Sequence, residues 1–155
     1  MSKSKHIGIV AVSAEGAALC YQTICAESSK FMGPHQHPEI SLHTFPLREH
    51  VKLLDKKDLR GLAALMDKSA EKLMAIGAEV LICPDNTNHL AFNFLKAADQ
   101  VPWLHIAREV AGRAHQAGYT RIGLLGTRYL TESQVYPEAL KEYGIHCTTG
   151  NDQDR

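Results

Sequence analysis

The stretch that most constrains this chain is Glu79-Val80-Leu81-Ile82-Cys83-Pro84-Asp85-Asn86-Thr87-Asn88-His89. A short apolar run rich in β-formers ends at Pro84, polar groups cluster directly behind it, and a helical pattern opens at Leu90. These features predict a buried parallel strand that hands its carboxyl end to a helix N-terminus. In open α/β sheets ligands bind at that edge, because backbone N–H groups and the helix dipole converge there on an anion. Asn86 and Thr87 can each donate to a carboxylate or phosphate, and Asp85 stands beside them as a candidate base.

The remainder of the chain repeats the order of strand and then helix. Further strands are expected over 6–12, 39–45, 101–106 and 121–125, with another opening at 145–148. Helical spacing of apolar residues covers 17–30, 59–76, 88–98, 107–117 and 132–143, and a charged, weakly periodic segment over 47–58 suits a short helix. Gly77, Gly118 and Gly144 stand where helices should stop. This alternation predicts an α/β fold, a parallel sheet flanked by helices on both faces.

Ser13, directly behind the first strand, suits an N-cap, and an anion-binding turn is compatible with that role. Thr44 ends the second strand and should lie near the same sheet edge as Asp85. From residue 118 onward the sequence offers too little apolar surface for an independent core. The expected organisation is a first α/β domain over 1–117 that carries the site, and the start of a second, similar and incomplete domain over 118–155. The alternative is that the later strands extend the first sheet.

Composition excludes several classes of partner. Seventeen basic residues balance seventeen acidic ones, so nothing points to nucleic acid or to a membrane surface. No apolar stretch approaches the ~18 residues of a membrane span. Four cysteines without CxxC spacing, and no signal peptide, read as reduced thiols in a cytoplasmic protein. Nine histidines are scattered without an HExxH or other ligand spacing, so no metal is expected. His35 and His37 read as exposed loop residues, His105 as a core histidine, and Met66 and Met74 as part of a helix's core stripe.

The segments HIGIVAVSAEG, Asn86-Thr87-Asn88-His89, VPWLHIA and RIGLLGTRYL, spread over almost the whole chain, make it similar to one family. The sequence resembles the aspartate/glutamate racemases, whose wider superfamily includes glutamate racemase, maleate isomerase and arylmalonate decarboxylase. The resemblance implies a cofactor-independent enzyme of two similar α/β domains with the substrate between them. It further implies two facing acid/base residues, usually cysteines, acting at the substrate Cα. Inversion there needs a base and an acid on opposite sides of one carbon, and donors that stabilise the developing enolate-like charge. By the same resemblance Asn86 and Thr87 match the carboxylate donors, and Thr127 matches a second-domain loop facing the cleft.

Two departures from the family pattern matter. Asp85 occupies the position of the first catalytic cysteine, while Cys83 lies two residues earlier, within the strand, and reads as a small buried hydrophobe. The second catalytic cysteine belongs to a GCTE-like motif that has no counterpart here, and Cys147 lacks that context. Asp85 therefore has two readings, a helix cap and a catalytic base whose ordinary pKa of about 3.9 makes it weak. The expected function is racemisation of a small acidic amino acid such as aspartate or glutamate. Asp85 would serve as one acid/base, Asn86 and Thr87 would bind the carboxylate, and Ser13, Thr44 and Thr127 would line the cleft. Isomerisation or decarboxylation of a small dicarboxylate, or carboxylate binding without turnover, are the alternatives. A homodimer is compatible with each.

Overall fold

The computed structural model describes residues 4–150. The chain forms two compact units, Met1–Leu104 and His105–Arg155.

In the first unit the elements run β1 (Ile7–Ala11), α1 (Ala14–Met32), β2 (Ile40–Thr44), α2 (Leu47–Asp55), α3 (Leu59–Ala75) and β3 (Val80–Ile82). Two 3-10 segments, Thr87–Phe94 and Ala97–Asp99, then lead to β4 (Trp103–Leu104). The four strands are parallel and ordered β2-β1-β3-β4. Strand alternation sends successive β1 side chains to opposite faces. Ile9 and Ala11 pack with Ala17, Cys20 and Ile24 of α1. Val10 and Val12 join Leu62, Met66, Ala70 and Leu73 of α3, together with Leu81 and Cys83. The sheet is thus covered by helices on both faces, as the alternation of elements required. Each fully buried large side chain in these clusters contributes about 1.5–3 kcal/mol.

Local chemistry sets the helix ends. The Ser13 side chain accepts from Gly16 N–H at the start of α1, and Asp58 accepts from Gly61 N–H, 2.8 Å, at the start of α3. Gly77 closes the turn after α3 at φ +96°, a conformation that a side chain would strain.

The segment expected as a helix over 88–98 is instead 3-10 in two pieces, and its hydrogen bonds give the reason. In an α-helix the N–H of His89 would bond the carbonyl of Asp85. The His89 ring takes that carbonyl through Nδ1 at 2.8 Å, and the His89 N–H turns to Asn86 one residue nearer. At the far end the N–H groups of Lys96 and Ala97 donate to the buried carboxylate of Asp67, on α3. Side-chain partners compete with the i→i−4 ladder and tighten it.

The second unit comprises α4 (Ile106–Gln116), β5 (Arg121–Leu124), α5 (Arg128–Thr131), α6 (Val135–Lys141) and β6 (His146–Thr149). Strands β5 and β6 pair in parallel as a separate sheet. Helix α4 packs on α6, and the His115 ring lies 5.1 Å from that of Tyr143. That packing groups α4 with the later elements, so the compact units divide after Leu104, earlier than the boundary expected after residue 117. The helix expected over 132–143 is present as the shorter α6, and α5 lies wholly before that span. Pro137 has no N–H to give Ser133, so α6 starts late enough to hold it in the first turn.

Candidate active site at the carboxyl edge of the sheet

Ser13, Thr44 and Asp85 all stand at or just beyond the carboxyl ends of strands in the first parallel sheet. Ser13 lies two residues beyond β1, Thr44 is the last residue of β2, and Asp85 is three residues beyond β3. Because β1 lies between β2 and β3, its turn separates the other two residues.

Ser13 and Thr44 share a pocket of about 540 Å³ with Leu42, Phe45 and Leu47. Asp85 is not among the residues lining it, but its loop is close to the α1 N-terminus. A Cβ on Gly16 would stand 2.8 Å from the Pro84 carbonyl oxygen and 2.9 Å from Ser13 Oγ. Glycine at 16 lets the first turn of α1 approach the backbone that carries Asp85. The hydroxyl of Thr44 is turned onto its own chain, donating to the Phe45 carbonyl at 2.9 Å.

Asp85, Asn86 and Thr87 form a half-buried corner between β3 and the 3-10 segment. Oδ1 of Asp85 accepts from the N–H of Asn88 at 2.9 Å, so the carboxylate caps the turn that follows it. His89 holds the same residue by its main-chain oxygen, and its ring stacks on Phe92 with centroids 4.9 Å apart. Two neighbours therefore fix Asp85 from opposite ends.

Cys83 is fully buried. Burial first, and the Asp85 charge second, push its thiol far above the ordinary cysteine range. A protonated thiol with no solvent contact is neither nucleophile nor base at neutral pH. Thr127, in the second unit, is exposed and precedes α5, with its carbonyl accepting from the N–H groups of Leu130 and Thr131. His35 and His37 are exposed, and His105 is half-buried at the start of α4. Among the described residues no three His, Cys, Asp or Glu side chains converge as a metal site would require.

Two polar residues that the sequence reading gave no role lie behind this corner. Asn88 is completely buried, and Nδ2 of its side chain is 2.8 Å from Nδ1 of His50, on α2. Asn88 stood in the segment Asn86-Thr87-Asn88-His89 without a role of its own. His50 sat in the charged segment whose weak periodicity carried no sign of a buried face.

A sequence model described as Asp/Glu/Hydantoin racemase matches residues 7–154. The chain belongs to this racemase family. A protein from Yersinia pestis, named as a "putative Asp/Glu Racemase", is 33% identical over 98% of this chain and 67% of its own, with a TM-score of 0.88. An aspartate racemase homologue from Pyrococcus horikoshii is 25% identical with a TM-score of 0.82, over 97% of this chain and 66% of its own. The aspartate racemase of Picrophilus torridus, 18% identical, shares the fold with a TM-score of 0.77 over 97% of this chain and 64% of its own. The chain thus spans about two thirds of the length of these structures. Among its described residues no helix is long and apolar enough to cross a membrane.

Proposed function

We propose that this member of the racemase family acts without a cofactor at the Cα of a small acidic amino acid, aspartate or glutamate, with Asp85 as one acid/base group. The observation that carries the reading is the corner Asp85-Asn86-Thr87 at the carboxyl end of β3, in a chain of this family. Asn86 and Thr87 hold the substrate carboxylate, and their hydrogen bonds strengthen as proton removal spreads charge onto it. Asp85 keeps Oδ1 on the Asn88 N–H and moves the proton through Oδ2. Ser13 and Thr44 line the approach on the β1 and β2 side. Thr127 is the second-unit residue matching the family's cleft-facing loop.

A second reading, carboxylate binding without turnover, draws support from the cap that Asp85 provides to Asn88. Incubation with each enantiomer of Asp and Glu in D₂O separates the two. Deuterium entering Cα, abolished in Asp85→Asn, supports proton transfer by Asp85. Binding with no deuterium uptake supports the second reading. If Asn86 holds the anion, Asn86→Ala weakens binding of the amino acid by ~1.5–3 kcal/mol, the range for a hydrogen bond to a charged group. Unchanged affinity by calorimetry would reduce the motif to a helix cap.

A further inference from the structure

His50 and Asn88 are 2% and 0% exposed, two of the most enclosed polar residues of the first unit. Asn88 Nδ2 faces His50 Nδ1 at 2.8 Å, and the main-chain N–H of the same asparagine donates to Asp85 Oδ1 at 2.9 Å. One residue therefore joins a buried ring on α2 to the carboxylate at the sheet edge. His50 Nε2 and Asn88 Oδ1, both buried, have no hydrogen-bond partner among the described residues. Leaving such groups unmade is costly, and apolar side chains of similar volume would fill the space without that penalty. Packing alone does not explain this pair.

The protonation of the ring fits a fixed role. Burial lowers the His50 pKa, and the nearby carboxylates of Asp85 and Glu49 oppose that only in part. A neutral imidazole carries one N–H. With the amide nitrogen of Asn88 donating to Nδ1, that proton belongs on Nε2.

We propose that His50 is a positioning residue for Asp85, accepting from Asn88 Nδ2 through Nδ1 and so holding the Asn88 N–H against the carboxylate. As a contribution to catalysis the proposal rests on the reading of Asp85 as an acid/base. As a contact it can be tested independently. Without that contact His89 would hold only the main chain of Asp85 and leave its carboxylate unanchored, and proton transfer requires the oxygen within hydrogen-bond reach of Cα–H.

Two substitutions separate this role from simple packing. In His50→Asn the amide oxygen can replace Nδ1 as acceptor, whereas in His50→Gln the amide reaches toward the Nε2 position and leaves Asn88 Nδ2 unpaired. Hydrogen exchange of the Asn88 amide is measured against that of Val10, in the sheet core, so that general destabilisation registers on both. The Gln variant should lose Asn88 protection by about tenfold relative to Val10, the factor of one ordinary hydrogen bond. The Asn variant should retain it. In the unsubstituted protein, ¹⁵N shifts should show His50 protonated on Nε2.

Deuterium uptake at substrate Cα should slow in the Gln variant and recover in the Asn variant, with KM unchanged. Protonation of His50 on Nδ1, or equal Asn88 protection in all three proteins, would overturn the proposal. If the unsubstituted protein shows no uptake while Asn88 protection responds as described, the catalytic reading of Asp85 falls. The His50–Asn88–Asp85 contact then stands.

Discussion

His89 Nδ1 donates to the main-chain oxygen of Asp85 across 2.8 Å. It thereby takes the acceptor that the N–H of His89 itself would use in an α-helix. This one substitution of ring for backbone keeps the chain after β3 in a 3-10 path and aims the corner that carries Asp85, Asn86 and Thr87. His89→Ala loses the hydrogen bond and the stacking on Phe92, and should destabilise the protein by about 1–3 kcal/mol. Denaturant unfolding measures the loss. An amide-exchange pattern unchanged over 85–95 would show that the ring does not set this path.

Gly16→Ala sets two effects against each other. Alanine is the better helix former by about 1 kcal/mol, but its Cβ would lie 2.8 Å from the Pro84 carbonyl oxygen, a backbone atom that cannot rotate away. Overpacking of this kind costs about 1–3 kcal/mol, so the variant should be less stable. It should also bind acidic amino acids more weakly, because α1 must move off the loop bearing Asp85. Higher stability with unchanged affinity would contradict the close approach.

The thiols should divide by burial. Cys83 is fully enclosed, and its pKa is pushed far up by burial and by Asp85, whereas Cys20, Cys25 and Cys147 are partly exposed. Iodoacetamide should label those three in the native protein and reach Cys83 only on unfolding, as mass spectrometry of peptides would show. Cys83→Ala should leave Cα deuteration intact. Loss of that activity in a folded variant would make the thiol a participant.

Stability should depend on pH through two histidines, the buried His50 and the partly exposed His43. Burial lowers the pKa of His50 despite the Asp85 and Glu49 carboxylates, and burial with the Lys72 charge lowers that of His43. The unfolded chain therefore binds protons first, near the ordinary value of about 6.5. Stability from these neutral rings is complete above that pH and declines as pH falls through it toward the folded-state values. Urea midpoints taken downward from pH 7.5 should fall, and more gently in His50→Asn. A midpoint that rises on acidification would reverse the assigned sign.

The run from Glu79 to Cys83, and its counterpart from His6 to Val12, identified the parallel strands because short β-branched segments bounded by Pro, Gly and polar residues have few other ways to bury themselves. The carboxyl-edge location of Ser13, Thr44 and Asp85 followed directly, since each stands at or behind the end of such a run. The Ser13 cap was legible for the same local reason. Other features depended on partners distant in sequence. The 3-10 path after β3 arises from the His89 ring and from Asp67, 29 residues before Lys96. The burial of His50 depends on α2 packing over Asn88, 38 residues away, and no periodicity in a charged segment announces that contact. The assignment of α4 to the second unit likewise came from its packing on α6. Local hydrogen bonding and hydrophobic period belong to a few adjacent residues, so sequence alone determined the strands, the sheet edge and the candidate acid/base corner. The surroundings that hold Asp85 in place are tertiary, because burial and long-range hydrogen bonds exist only once the helices have packed.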